Sequence, residues 1–265
     1  MMPETKPDYS VLDRPDVCMF LFHPRAEMAN RQMPAAGFDV MIPVADEIHV
    51  GARFHIQGKQ GTNILFFHGN GEIVSDYDEL GPLYKQLGIN FLPVDYRGYG
   101  RSNGQPTVST MMADSHKVFV FIRDWLRENQ HTGPLVVMGR SLGSASALEL
   151  SATYPSEIQG LIIESGFAQA APLLQLLGID PVALGYKEDL GFHNLDKIGR
   201  FTKPTLIIHA EYDHIIPYSD GQALYDASPA TQKDLLKIKS ANHNDIFFKG
   251  MPAYMQAIQK LVGTL

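Results

Sequence analysis

The chain has 265 residues, 45% of them apolar and 10% aromatic, enough to bury a sizeable core and to exclude global disorder. Lysine and arginine number 22 against 29 aspartates and glutamates, a net charge of −7, and with no basic block present this excludes an electrostatic nucleic-acid binder. The single cysteine, Cys18, can neither close an intrachain disulfide nor build a multi-cysteine zinc site.

The opening MMPETKPDYS lacks the basic-then-apolar order of a secretory signal. The best early apolar run, Cys18 to Phe22, falls far short of the ~20 residues a bilayer span requires. The expectation is a cytoplasmic protein without an integral membrane segment.

In chain order, a proline-dotted extension over residues 1–37 leads into two strands, Phe38–Pro43 and Ile48–Gln57. The second alternates, with His49, Val50, Ala52, Phe54 and Ile56 set among polar residues, which predicts a half-exposed hairpin strand. Four continuous apolar runs follow at Asn63–Phe67, Asn90–Val94, Pro134–Met138 and Leu161–Ile163, then Thr205–Ile208 and a weaker run at Leu235–Ile238. Such runs suit strands covered by helices on both faces. Between them, Leu80, Leu83, Tyr84 and Leu87 recur at helical spacing, as do Val118, Ile122, Trp125 and Leu126. Phe247, Met251, Tyr254, Met255, Ile258, Leu261 and Val262 predict an amphipathic final helix. Strands alternating with helices imply right-handed crossovers and a mostly parallel, doubly wound α/β sheet of eight strands. Residues 38–265 are expected to form one domain, with the extension packed on it. The stretch 167–200 is too long for a plain crossover and carries Leu173, Leu174, Leu176, Leu177 and Ile179, so it reads as a short lid insertion over the carboxyl edge of the sheet.

The sharpest motif is Gly139-Arg140-Ser141-Leu142-Gly143. It lies between the run Pro134–Met138 and the helix-forming Ser144–Leu150, the strand–turn–helix context in which G-x-S-x-G presents a nucleophile. A serine nucleophile needs a base, and the base an orienting acid. Asp213 follows the strand Thr205–Ile208, and His243 follows Leu235–Ile238 just before the last helix. Taken singly, His243 also reads as a helix cap and Asp213 as a loop carboxylate, but the order Ser…Asp…His, each beyond a different strand, favours a triad. Glu164 and Glu211 are competing acids. Asp245 reads as the N-cap of the last helix, and Pro217 as the opening of the helix after Asp213. His209, Asp213 and His214 have no second ligand cluster beside them, so no metal is expected. Oxyanion donors are expected from the backbone N–H of Asn70, after His68-Gly69, and of Leu142, after the serine. His68 reads as a brace for that loop. Asp95-Tyr-Arg-Gly-Tyr-Gly-Arg-Ser-Asn-Gly104 satisfies neither a dinucleotide fingerprint nor a P-loop, and reads as a loop braced by Asp95 and Arg97.

Taken together, HGNG, DYRGYGRSNG, GRSLGS, the Asp213 loop and Asn-His-Asn-Asp resemble the α/β-hydrolase superfamily over about residues 38–265. More narrowly, the set is similar to small serine hydrolases of the α/β-hydrolase-domain type, near the prolyl-oligopeptidase-like and monoacylglycerol-lipase-like branches. The resemblance implies Ser141 as nucleophile, His243 as general base, Asp213 as its orienting acid, and Asn70 and Leu142 as the oxyanion hole. Animal relatives often carry a membrane anchor or an acylated cysteine-rich tail; neither pattern occurs in this sequence. A propeller or large cap that would gate peptides is likewise not seen, and serine at the elbow differs from the aspartate of dehalogenases and epoxide hydrolases. The expected activity is cofactor-independent cleavage of small acyl esters or thioesters, with Leu173 and Leu177 lining the acyl pocket or packing the core. A serine peptidase or amidase is the alternative, and a non-catalytic binding protein on the same fold a second one.

Overall fold

The computed structural model describes residues 7–28 and 37–265. Eight strands, β1 (Phe38–Ala45), β2 (Ile48–Phe54), β3 (Asn63–Phe67), β4 (Asn90–Val94), β5 (Leu135–Arg140), β6 (Gly160–Glu164), β7 (Thr205–Ala210) and β8 (Lys233–Ile238), form one open sheet. Their order is β1-β2-β4-β3-β5-β6-β7-β8. β1 and β2 pair antiparallel, as do β2 and β4, and all later neighbours are parallel. This is the mostly parallel α/β sheet that the apolar runs imply.

Alternation along each strand splits the core in two. Leu65 and Phe67 of β3 face one layer, with Val118, Phe119 and Ile122 of α3 (Val108–Glu128) and Ala147, Leu148 and Leu150 of α4 (Gly143–Thr153). Ile64 and Phe66 face the other, with Tyr84 of α2 (Gly81–Gln86) and Tyr254, Ile258 and Leu261 of α9 (Ile246–Val262). At about 25 cal/mol per Å² of apolar surface removed from water, these two layers supply the main driving force for the fold.

β2 departs from the half-exposed expectation: residues 50–54 are all buried. Its outward position, Arg53, is only 1% exposed and is held by Glu27, Asp39 and Asp78 at 2.9, 2.7 and 2.8 Å. A charged residue is buried here because three carboxylates surround it, a pairing that polar–apolar periodicity cannot reveal.

Residues 7–28 lie against the rest of the chain through buried Leu12, Val17 and Phe22, the last two in or just after α1 (Pro15–Leu21). Between β6 and β7 stand α5 (Ala171–Leu176), α6 (Pro181–Leu184) and α7 (Asn194–Ile198). Lys197 of α7 pairs with Glu149 of α4 at 2.6 Å. Asp8 N–H donates to the Leu190 carbonyl at 2.7 Å, and the Tyr9 ring packs on Phe192. The helix after the Asp213 loop, α8 (Tyr218–Ala227), starts one residue later than expected, with Pro217 as its N-cap. Among the described residues no helix is long and apolar enough to cross a membrane.

The register levels the strand ends. Phe67 pairs with Gly139, Gly139 with Ile163, and Glu164 with Ile208. The loops beginning at His68, Ser141 and Glu211 therefore leave a common carboxyl edge, where α/β sheets carry their sites.

Candidate active site

Ser141 occupies the turn between β5 and α4 with φ = 49°, a left-handed conformation that costs a non-glycine residue of order 1–3 kcal/mol. The surroundings enforce it. Ser141 N–H donates to the Glu164 carbonyl at 2.9 Å, and its own carbonyl accepts from Ser144 N–H at 3.0 Å and Ser144 Oγ at 2.6 Å. The flanking glycines answer to space: a Cβ on Gly139 would overlap the Gly143 carbonyl, and one on Gly143 would overlap the Phe67 carbonyl. Gly143→Ala is expected to destabilise the protein by about 3 kcal/mol or more, because the obstacle is backbone rather than a side chain that can swing away. A thermal melt checks this.

His243 Nε2 lies 3.1 Å from Ser141 Oγ, and His243 Nδ1 lies 2.7 Å from Asp213 Oδ2. Asp213 Oδ1 accepts from the Ile215 and Ile216 N–H groups at 3.0 and 2.8 Å. Burial works against ionisation of Asp213, but the His243 hydrogen bond and charge and these two amides outweigh it and hold its pKa below the ordinary carboxylate value. His209, fully buried, lies 2.8 Å through Nε2 from the Ile216 carbonyl and steadies the same loop. Burial pushes its pKa down, so it stays neutral there and donates to that carbonyl through Nε2.

The competing acids are placed elsewhere. Glu164 pairs with Arg140 at 2.6 Å and accepts from the Tyr254 hydroxyl, while Glu211 accepts from Ser240 N–H at 2.9 Å. His214 is exposed. Asp245 stands at the N-cap position of α9 but makes no capping bond. Its carboxylate accepts instead from Asn242 N–H at 2.7 Å and Asn242 Nδ2 at 3.1 Å, closing the turn that carries His243.

The Asn70 and Leu142 backbone N–H groups have no acceptor among the described residues. They stand on neighbouring loops, after β3 and at the start of α4. His68 braces the first of these, with Nδ1 2.8 Å from the Gly69 carbonyl and Nε2 3.1 Å from Asp95 Oδ1. In the loop that follows β4, Arg97 grips Asp114 of α3 in two bonds of 2.6 and 2.8 Å and so braces its own segment. Leu173 packs on the main core and Leu177 is half-buried just after α5.

Two groups of residues escaped the sequence reading. Arg140, 7% exposed, donates to Glu72 at 2.8 Å, to Glu164 at 2.6 Å and to the His243 carbonyl at 2.9 Å. Glu72 in turn accepts from Gly69 N–H at 2.6 Å and the Tyr77 hydroxyl at 2.5 Å. One guanidinium thus joins the serine turn, the Asn70 loop and the histidine loop. Burial opposes the charge on Glu72, yet Arg140 and Tyr77 hold its pKa at about 2. A charged residue ending a buried strand was the available signal, since such a residue is rarely buried without a partner. In the second group, Asn70 Oδ1 accepts from the Tyr99 hydroxyl at 2.6 Å and His23 N–H at 2.9 Å, so the side chain anchors the amide. These partners lie 29 and 47 residues away in sequence, beyond any local pattern.

A family model described as serine aminopeptidase, S33, matches residues 58–184. The human alpha/beta hydrolase domain-containing protein 17B is 31% identical over 205 residues, which cover 75% of this chain and 65% of that protein. The chain thus spans just under two thirds of that relative's length. An esterase from Pyrococcus furiosus superposes with a TM-score of 0.72 at 17% identity, covering 91% of this chain and 98% of the esterase. A monoacylglycerol lipase from Paleococcus ferrophilus gives 0.62 at 19% identity, covering 81% and 98%. The sheet order, the strand–turn–helix at Ser141 and these likenesses agree: the chain has the α/β-hydrolase fold and is similar in sequence to alpha/beta hydrolase domain-containing proteins.

Proposed function

We propose that this protein hydrolyses small acyl esters or thioesters through an acyl-enzyme on Ser141. The observation that carries the reading is the unbroken line from Ser141 Oγ to His243 Nε2 at 3.1 Å and from His243 Nδ1 to Asp213 at 2.7 Å. In the first half-reaction Ser141 Oγ attacks the carbonyl carbon while His243 Nε2 takes its proton. Asp213, held ionised, stabilises the imidazolium. The Asn70 and Leu142 N–H groups receive the oxyanion, each worth about 3–4 kcal/mol in the transition state. The intermediate collapses as His243 passes the proton to the departing alcohol or thiol. Water then attacks the acyl carbon, gives its proton to His243, and the acid leaves as Ser141 regains its hydrogen. Nothing in these steps calls for a cofactor.

The test is labelling with a fluorophosphonate probe followed by a p-nitrophenyl ester series of increasing chain length. Stoichiometric labelling at Ser141, with turnover that the label abolishes, supports the reading; turnover in fully labelled protein overturns it. The aminopeptidase description of the matching family model favours a second reading, amide cleavage. Turnover of an aminoacyl amide at a rate rivalling the ester would establish it, since amides demand more complete protonation of the leaving group by His243.

The Asn70 anchor carries its own expectation. Tyr99→Phe removes the 2.6 Å donor to Asn70 Oδ1 and leaves the ring in place. Turnover should fall up to about tenfold with KM nearly unchanged, because the oxyanion is met only in the transition state. Steady-state kinetics on one ester decides it.

A further inference from the structure

Under the serine and histidine loops, on the sheet face covered by α2 and α9, lies a cavity of about 310 Å³. That is near the lower end of the size of small-molecule pockets. Its walls are aromatic: Phe66 and Phe91 from the sheet, Tyr77 and Tyr84 from the segment after β3, and Phe247 and Tyr254 from α9. The rings hold one another in place, with Tyr84 stacked on Phe91 at 4.2 Å, Phe66 edge-on to Tyr77 at 4.7 Å and Phe247 edge-on to Tyr254 at 5.1 Å.

Charge distinguishes this cavity from an ordinary apolar gap. Glu72, Asp76, Glu79 and Glu164 line it against a single cation, Arg140. Arg140 answers Glu72 and Glu164 together, and Asp76 is paired with Arg25 from outside the wall. The carboxylates therefore outnumber the cations that face them, with Glu79 exposed at the mouth. Two of the aromatic wall residues reach these carboxylates, the Tyr77 hydroxyl donating to Glu72 and the Tyr254 hydroxyl to Glu164. Glu72 and Glu164 share one guanidinium between them, so the buried end of the cavity keeps a net negative charge that repels an anion and favours a cation. Among the described residues no group of three His, Cys, Asp or Glu is placed to hold a metal ion. Aromatic faces combined with surplus carboxylate are the environment in which organic cations bind.

We propose that this cavity is a binding site for an organic monocation, an aryl- or alkylammonium, seated against the aromatic faces with its charge toward the carboxylate end. Two of its wall residues, Arg140 and Asn244, are the chain neighbours of Ser141 and His243. The ligand borders the reaction centre without entering it.

The probe is benzyltrimethylammonium, titrated calorimetrically into the full chain, with benzyl alcohol as the uncharged comparison. The cation should bind at least about tenfold more tightly than the alcohol, and equally well to protein carrying Ser141→Ala or blocked at Ser141. Phe247→Ala should weaken it about fivefold or more and Phe247→Tyr should restore it, both with ester turnover unchanged. Equal affinity for the alcohol, indifference to Phe247→Ala, or loss of binding when Ser141 is blocked would each overturn the proposal. The readout is binding, so it stands or falls separately from the proposed hydrolysis.

Discussion

Replacing Ser141 by alanine is expected to lower kcat on a p-nitrophenyl ester by about 10⁶-fold, roughly 8 kcal/mol of transition-state stabilisation. The proposed acyl-enzyme route depends on one oxygen, Oγ, and its 3.1 Å contact with His243. His243→Ala should cost about as much, and the double variant little more, because nucleophile and base act as a unit. Asp213→Asn should be milder, near 10⁴-fold, since the imidazole keeps a partner at Nδ1 but is held in the wrong tautomer. Residual turnover about 10³-fold above water should persist in all of them through the Asn70 and Leu142 amides. Single-turnover measurement with highly purified variants is the check, and additive losses in the double variant would contradict a shared mechanism.

Arg140→Met is expected to produce the largest loss of stability, about 3–5 kcal/mol at neutral pH. It leaves Glu72 and Glu164, respectively about one quarter exposed and 5% exposed, without their common cation. The pH dependence has a definite sign. In the native protein the pKa of Glu72 is depressed to about 2. Its contribution is therefore complete above the unfolded carboxylate value near 4.5 and fades as pH falls from there toward 2. Without Arg140 the same carboxyl loses its nearest cation, so ionisation in the folded state becomes unfavourable and acid relieves it. The gap in Tm between native and variant should thus be widest at pH 7 and should narrow on acidification to pH 4.5. A gap that stays constant across that range would mean the network contributes packing rather than charge. Turnover should fall as well, because the guanidinium holds the His243 carbonyl and, through Glu72, Gly69 N–H.

Much of this protein is determined locally, and local patterns expose it. Asn63–Phe67 and Asn90–Val94 are strands over the very residues that their sequence marks, since each, buried on both faces, shows four consecutive apolar residues after its first position. The elbow at Ser141 is equally local: two glycines permit backbone contacts that any Cβ would block, and the strand before it and helix after it are written in adjacent residues. The order Ser141, Asp213, His243 follows from the same logic, each residue standing just past a strand. Burial of Arg53 and Arg140 is a different matter. Each is tolerated only because carboxylates from distant segments converge on it, and charge pairing across 14 to 68 residues leaves no periodic trace. The same holds for Asp245, whose residue type suits a helix cap but whose side chain closes the histidine turn instead. Sequence thus determined the sheet, the elbow and the chain order of the candidate triad, because backbone sterics and burial act between near neighbours. Only the tertiary structure decided which acid faces His243, what anchors Asn70, and that an aromatic, acid-rich cavity lies beneath the loops, because those depend on side chains from distant segments brought together by the strand register.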